Sequence, residues 1–439
     1  MMKKTKIIHL LTHLPHPVIL KHKNPLDYFH SISRGDFQQI DYPPYWVGFF
    51  SEDHHVLAAQ ELISFTDEFE IECWRPYGYG IKHDYKKTVN GIVHRVFPGG
   101  TFTIPMVGNF TWSSSLYRAL VEEIQSNNVI LNVYVGHNWF PIILIQKLKK
   151  LKSRFGLIET HLSSGFKKFS YYKLDWWKRL FKWYYLIEHY LDVNSLKKCD
   201  HYYSGSFVEA KYLKVHHPDV SSSFFMAGID FSKFKVLSKP EKIKLREELD
   251  LPTNKNILIA QGNWRSIDYG YQHLIECYKK VKQSGRADNL QLVMIGGYKT
   301  EDLYEVGLKA KAIMVERCPK SQFYKYLEAA DFFTKASFGY IFINFGGFGF
   351  ATIEALACGL PMISNNIIHY PGTDEERNGI GVEMPTKEKL IEAMISMNEN
   401  YPNYTSCREL AKKYFNIENT RLELVSKYRE LSAKYFKVN

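Results

Sequence analysis

Between Gly346 and Ser364 the chain reads GGFGFATIEALACGLPMIS. Glycines at 346, 347 and 349 lead into an alanine-rich run that holds one carboxylate, Glu354, and stops at Gly359 and Pro361. Glycine carries no side chain, so a ligand can approach the main chain closely along such a loop. Ala351 to Cys358 suits a helix, and glycine followed by proline is a usual stop. The head of a helix presents unpaired N–H groups and partial positive charge, which favour phosphate or sugar oxygens. Glu354 then projects about one turn inside that head. The pattern fits a nucleotide or sugar cradle; the plainer alternative is a tight loop before a buried helix.

A second group lies in FKKFSYYKLDWWKRLFKWYYLIEHYL, from Phe166 to Leu191. On a helix, Trp176, Leu180, Trp183, Tyr184 and Ile187 share one face, with Lys178, Arg179 and Lys182 on the other and Trp177 beside them. Tryptophan on one side and basic residues on the other is the composition of an element lying on a membrane surface. A core-facing helix with its aromatics packed inside a domain fits the same spacing.

These groups need a scaffold to position them. A chain of 439 residues exceeds one ordinary core, so two domains are expected. With 45% hydrophobic and 23% charged residues the composition is globular, and the formal net charge of +11 favours an anionic partner. The anion could be a nucleotide, a phospholipid surface or a nucleic acid, and no nucleic-acid motif supports the last, so that partner is not expected. Six scattered cysteines form no C-x-x-C pair, so neither a zinc site nor a disulfide framework is expected, and a reducing cytoplasm is. The start, MMKKTKIIHLLTHLPHP, is basic but interrupted by His9, Thr12 and His13, and reads as a first strand rather than a signal peptide. No run approaches the ~20 apolar residues that span a bilayer.

Short apolar runs alternate with helical stretches throughout: KIIHLL, FEIECW, ILNVYVG, GLIETH, DHYYSGS and SSFFMAG come first. After the polar SKPEKIKLREELDLPTNKN the rhythm restarts with ILIAQG, LQLVMIGG, AIMV, DFFTKAS and LPMIS. Alternation of this kind implies parallel sheets covered on both faces. The expected architecture is α/β, with two doubly wound domains joined near residues 232–250 and a ligand cleft beyond the strand ends.

In this order the pieces resemble the retaining glycosyltransferases of family 4, which have the GT-B fold of two Rossmann-like domains facing across a cleft. GFFSEDHHVLAAQELISFTDEFEIECWRP is similar to the family's glycine loop, first helix and second strand. GHNWFPIILIQKLKKLKSRFGLIETH resembles its HDW-like segment and a strand ending in T-H. CDHYYSGSFVEAKYLK and FMAGIDFSKFK resemble its serine-bearing strand and its linker, and EALACGLPMIS is the nearest match. The implied division is an acceptor-side domain over 1–235, a nucleotide-sugar domain over 236–415, and a C-terminal helix over 416–439 free to cross back to the first domain. The implied activity moves a sugar from a nucleotide-diphosphate donor to a glycan or lipid-linked acceptor, with anomeric configuration retained. No metal and no cofactor are implied, the nucleotide sugar being a co-substrate. A role in surface polysaccharide or lipopolysaccharide synthesis would place the protein in the cytoplasm, peripheral on the inner face of an anionic membrane.

The resemblance gives residues roles. Glu354 matches the second glutamate of the family's E-x7-E motif, which contacts the donor's ribose hydroxyls, and a carboxylate can accept two hydrogen bonds from a diol. His161 matches the histidine near the transferred sugar. The backbone of Gly346, Gly347, Phe348 and Gly349 falls at the donor loop. The sequence also departs from the family: Gly346 stands where the first glutamate is expected, leaving Asn344 or loop amides to replace it. In AQGNWRSIDYGYQHL, Asn263 and Tyr269 occupy positions where two cations usually bind the diphosphate, and Arg265 is the one cation left there. Each lost transition-state donor costs about 3–4 kcal/mol if nothing replaces it. Two readings therefore stand: an active transferase with compensating groups, or a catalytically weak GT-B protein that binds a glycan or serves as a partner subunit.

Overall fold

The computed structural model describes residues 4–11, 54–65, 67–77, 83–104, 108–134, 140–161, 182–262, 270–297, 302–335, 348–384, 386 and 389–436. The chain divides into two compact units. The first comprises Met1–Gly205, Glu209–Ala227 and Thr420–Asn439; the second comprises Ser206–Val208 and Gly228–Asn419.

The first unit is built on an eight-stranded sheet. Its strands are β1 (Thr5–Leu11), β2 (Phe69–Tyr77), β3 (Tyr85–Val89), β4 (Ile92–Pro98), β7 (Val129–Tyr134), β8 (Phe155–His161), β9 (His201–Ser204) and β10 (Ser222–Phe224). They lie in the order β10-β9-β8-β7-β1-β2-β4-β3. All neighbours are parallel except the β3–β4 hairpin. Strands β5 (Gly100–Ile104) and β6 (Gly108–Trp112) form a separate antiparallel pair. Every residue of β1, β7 and β8 is buried, as expected for strands covered on both faces. Helix Ser114–Ser126 shows how the layers join: Ser113 caps it by accepting from the Leu116 amide at 3.2 Å, and Leu116, Leu120 and Ile124 face the sheet at four-residue spacing.

A row of polar residues crosses the middle of this sheet. His9 on β1, Asn132 on β7 and Thr160 on β8 are each fully buried. Thr160 Oγ1 donates to Asn132 Oδ1 at 2.7 Å, and Asn132 Nδ2 donates to the Tyr428 hydroxyl at 2.8 Å, which lies 3.2 Å from His9 Nε2. Tyr428 belongs to the last helix, Ile417–Tyr435, which buries Leu424, Val425 and Leu431 beside it. The far end of this helix is pinned at Asp200, which accepts from Lys152 Nζ (2.6 Å), Lys434 Nζ (2.8 Å), the Tyr435 hydroxyl (2.7 Å) and the Leu157 amide (2.8 Å). Burial pushes the Asp200 carboxyl up, but these donors outweigh it and hold it below the usual carboxylate range.

The second unit has six parallel strands: β11 (Asn256–Gln261), β12 (Leu290–Gly297), β13 (Ile313–Glu316), β14 (Phe332–Lys335), β15 (Met362–Ser364) and β16 (Gly381–Glu383). Their order, β13-β12-β11-β14-β15-β16, is 3-2-1-4-5-6 counted from β11, the doubly wound dinucleotide-fold order. The amino ends of β11 and β14 are locked by a buried ion pair. Arg246 Nη2 donates to Asp331 Oδ2 at 2.6 Å, the same oxygen accepts from the Ile257 amide at 2.8 Å, and Arg246 also donates to the carbonyls of Ala329 and Lys255. This tie lies at the end of the sheet opposite to where a doubly wound fold binds ligands.

The segments by which the chain enters and leaves this unit pair with each other. Ile229 donates to the Phe415 carbonyl at 2.9 Å and accepts from the Ile417 amide at 3.1 Å. A Cβ on Gly228 would come within 2.6 Å of the Ile417 backbone, so this crossing requires glycine.

The eleven apolar runs read as strands are β1, β2, β7 to β10 and β11 to β15. Strands β3 to β6 and β16 carry no clear run of that kind. The last helix begins at Ile417, and from Thr420 it belongs to the first unit.

Candidate functional site

In the second unit the strand order reverses between β11 and β14, and the crevice beyond their carboxyl ends is where ligands bind in such sheets. Four pieces of backbone converge there. Gln261 ends β11 and Gly262 follows it; Gly296 and Gly297 end β12; Lys335 ends β14; and Phe348 and Gly349 lead into helix Phe350–Ala357. A Cβ on Gly262 would overlap the Tyr271 hydroxyl, which donates to the Gln261 carbonyl at 2.7 Å, and one on Gly296 would sit 2.6 Å from the Gly262 oxygen. The strand ends therefore pack main chain to main chain.

Helix Phe350–Ala357 is held at both ends. Phe348 is fully buried, stacked on Phe415 with centroids 5.4 Å apart and tilted against Tyr370 at 5.6 Å. At the other end Gly359 has φ +76°, the Leu360 amide donates to Ala355 O at 3.1 Å and the Gly359 amide to Leu356 O at 2.9 Å, a Schellman closure. Arg408 donates to the Ala357 carbonyl, and to Phe231 O at 2.7 Å and Phe234 O at 3.0 Å, putting positive charge at the negative end of the helix. At its head, Gly349 has φ +81° and ψ 142°, a conformation costly for any other residue. Among the described residues no side chain caps this end.

Glu354 lies just beyond the first turn of this helix, only 5% exposed. The Tyr324 hydroxyl, from helix Lys320–Ala329, donates to its Oε1 at 3.3 Å. Burial raises the Glu354 carboxyl, while the Lys320 charge and the Tyr324 bond act the other way.

Lys335 was not singled out by the sequence reading. Its ammonium sits against the backbone of Gly349, where a Cβ would collide with it. Burial lowers it to about 8, and among the described residues no carboxylate pairs with it. Its charge, after burial, helps to hold His369 neutral, at about 4. A lysine closing a strand whose other residues, Phe332 to Thr334, are buried is the signal that could have found it.

In the first unit, His161 is the last residue of β8, 2% exposed and in register with Ser204 of β9. It stands at the carboxyl end of a parallel strand, as the sequence reading required. Lys182 and Trp183 open helix Lys182–Leu196, though their side chains are not among the described parts. Trp176, Trp177, Lys178 and Arg179 lie outside the described residues, as do Asn263, Arg265, Asn344, Gly346 and Gly347. The same helix leaves Leu186, Ile187 and Tyr190 exposed at 46%, 47% and 67%. Among the described residues no cluster of metal-ligating side chains occurs, all six cysteines are free, and no helix is long and apolar enough to cross a membrane.

Comparison with known proteins agrees with this geometry. No curated protein sequence matched the chain. Among solved structures, sucrose-phosphate synthase from Thermosynechococcus elongatus superposes with a TM-score of 0.60 at 15% identity, covering 86% of this chain and 92% of that one. A glycosyltransferase from Rickettsia africae gives 0.60 at 15%, covering 98% of each. HepE of Anabaena, in complex with UDP-glucose, gives 0.56 at 11%, covering 97% of this chain and all of that one. At these identities the likeness establishes the fold, which is the GT-B fold of glycosyltransferases. Residues 241–414, which include the switch point, the buried ammonium and Glu354, match the family model described as glycosyl transferases group 1.

Proposed function

We propose that the protein is a metal-independent, retaining glycosyltransferase that moves a hexosyl group from a nucleotide-diphosphate donor to a glycan or glycolipid acceptor in surface polysaccharide synthesis. The observation that carries this reading is the group 1 match over 241–414, the segment whose strand order creates a switch point at the head of an uncapped helix. HepE, similar in fold, is known with UDP-glucose bound, which supports a nucleotide sugar as donor here. The breaking bond joins the anomeric carbon to the diphosphate oxygen, so negative charge grows on the leaving group. Donors already aimed at that charge lower the barrier without reorganising. In this reading the helix head and the backbone from Gly346 to Gly349 hold the diphosphate, with Arg265 and Asn263 from the preceding loop. Glu354 accepts from the ribose hydroxyls, Asn344 addresses the donor sugar, and His161 positions the transferred sugar.

The test is incubation with a panel of nucleotide sugars, following released nucleotide and the anomeric configuration of any product. Release from one donor with inversion would overturn the retaining mechanism. The second reading, a catalytically weak glycan-binding or partner subunit, is favoured by Gly346, which cannot supply the expected carboxylate. Absence of both release and donor binding at millimolar concentration would favour it over the first.

Glu354→Gln keeps the shape and one acceptor but loses the charge. Donor affinity should fall about tenfold, roughly 1.4 kcal/mol, while the thermal midpoint moves little, because the Tyr324 bond can be kept. Unchanged affinity in isothermal titration would remove the ribose role.

The same reading places the protein on an anionic cytoplasmic membrane surface, supported by the basic balance and by exposed Leu186, Ile187 and Tyr190. Co-sedimentation with phosphatidylserine vesicles should fall with salt and with charge reversal at Lys178, Arg179 and Lys182, each contributing about 1 kcal/mol. Binding that ignores both would exclude a surface role for that segment.

A further inference from the structure

From the geometry at the end of β14 we infer that Lys335 is the cation that binds a diphosphate group at the head of helix Phe350–Ala357, with the Thr352 hydroxyl beside it; this rests on the proposed reading of the same site as a donor pocket.

Three independent observations meet at one point. The first is the Lys335 ammonium itself, which occupies the space left by the missing Cβ of Gly349, at the uncapped end of the helix. A lysine that only needed solvent would not thread back against a helix head, where the N–H groups repel it. Two like partial charges held together and partly buried are stable when an anion lies between them.

The second is Thr352. It is fully buried on the first turn, and its Oγ1 has no hydrogen-bond partner among the described residues. That oxygen is 3.9 Å from the position a Gly349 Cβ would take, the same point that the ammonium crowds. An orphaned buried hydroxyl costs about 1–3 kcal/mol, so it calls for a partner that arrives later.

The third lies on the neighbouring strand end. Ser364 Oγ donates to the Lys335 carbonyl at 3.0 Å and accepts from the Asn366 amide at 3.0 Å, fixing the turn after β15 against β14. In that turn the side-chain atoms of Asn366 and both ring nitrogens of His369 are buried without partners among the described residues. Buried polar groups are paired in the great majority of cases, and orphans collected around one lysine mark a place where a ligand supplies the missing bonds.

Chemistry narrows the ligand. An ammonium, a hydroxyl and free helix amides are all donors, so the group must be rich in acceptors and negative. A diphosphate meets this; a neutral sugar does not. The assignment also answers the deficit in the loop after β11, where Asn263 and Tyr269 supply no charge. The positive charge comes instead from the strand on the other side of the switch point. Burial leaves the free ammonium near 8, so a bound diphosphate raises it and keeps it protonated.

The experiment compares wild type with Lys335→Met and Thr352→Val, using inorganic pyrophosphate as probe in isothermal titration and thermal melts without ligand. Wild type should bind pyrophosphate, Lys335→Met at least tenfold more weakly, and Thr352→Val measurably more weakly. Neither variant should melt below wild type, because each replaces an uncompensated buried polar group by an apolar one of similar shape. Equal pyrophosphate affinity in wild type and Lys335→Met overturns the assignment, and so does failure of wild type to bind. A melting point several degrees lower in Lys335→Met overturns it too, by showing the ammonium to be a structural tie. The nucleotide-sugar panel separates the two proposals. Nucleotide binding equal in wild type and Lys335→Met sinks this one and leaves the transferase reading. Lys335-dependent pyrophosphate binding without binding of any nucleotide does the reverse.

Discussion

Deleting Thr420–Asn439 should unfold the first unit while leaving Gly228–Asn419 folded. The deletion removes Leu424, Val425, Tyr428 and Leu431, each no more than 2% exposed. At about 1.5–3 kcal/mol per fully buried side chain, the gross loss is about 6–12 kcal/mol. That matches the roughly 5–15 kcal/mol that holds a whole domain together. The loss is compounded at Asn132, whose Nδ2 gives up its acceptor in the middle of the sheet, and at Asp200, which loses two of its four donors. Limited proteolysis with mass mapping should show cleavage through residues 4–161 and a protected fragment beginning near Gly228. Equal protection of both regions would show that the last helix is an accessory. Tyr428→Phe alone removes one hydroxyl and should lower the first unit's stability by a smaller amount, about 1–3 kcal/mol.

Arg265→Ala should lower transfer at least a hundredfold, about 2.7 kcal/mol by the rate relation. The departing diphosphate gains charge as its bond to the sugar breaks, and Arg265 is the only cation between Gly262 and Gly270. Arg265→Lys should recover only part of the rate, since an ammonium lacks the planar fork that takes two oxygens at once. Single-turnover rates at saturating donor read the effect directly. A wild-type rate in Arg265→Ala would mean that the loop after β11 contributes no charge, and would leave the strand-borne lysine alone in that role. The double variant with Lys335→Met then tells whether the two cations act on one group: a penalty smaller than the product of the singles indicates a shared target.

The parallel strands were readable because burial on both faces forces near-continuous apolar runs, and KIIHLL, ILNVYVG and ILIAQG have no other comfortable place. The helix from Phe350 to Ala357 was readable from its glycine boundaries, with Glu354 placed correctly just past its first turn. What escaped depends on tertiary neighbours. The β3–β4 hairpin alternates burial along β4 while β3 is largely exposed, a pattern too weak to separate from loop. His9, Asn132 and Thr160 look like interruptions in apolar strands until Tyr428 arrives from almost 300 residues away. Lys335 follows three residues of a buried strand, and only the absence of a Cβ at Gly349 gives its ammonium a destination. Local pattern carries the period of an element, whereas a partner supplied by a distant segment leaves no mark in that pattern.

The placement of Tyr428 fixes an order of events during synthesis. The second unit is an insertion whose two ends are stitched together at Ile229 and Asn416, so it has all of its strands as soon as those residues emerge. The first unit emerges earlier but cannot close until the last helix follows, after the whole of Gly228–Asn419. At about 5–20 residues per second this wait is roughly 10–40 s. Throughout it the sheet carrying His161 exposes one polar row and an apolar face with no cover, so the later-made unit is the first to reach its native state. A chain ending at Asn419 and released from the ribosome should therefore have a second unit that already resists protease and a first that is still a client for chaperones.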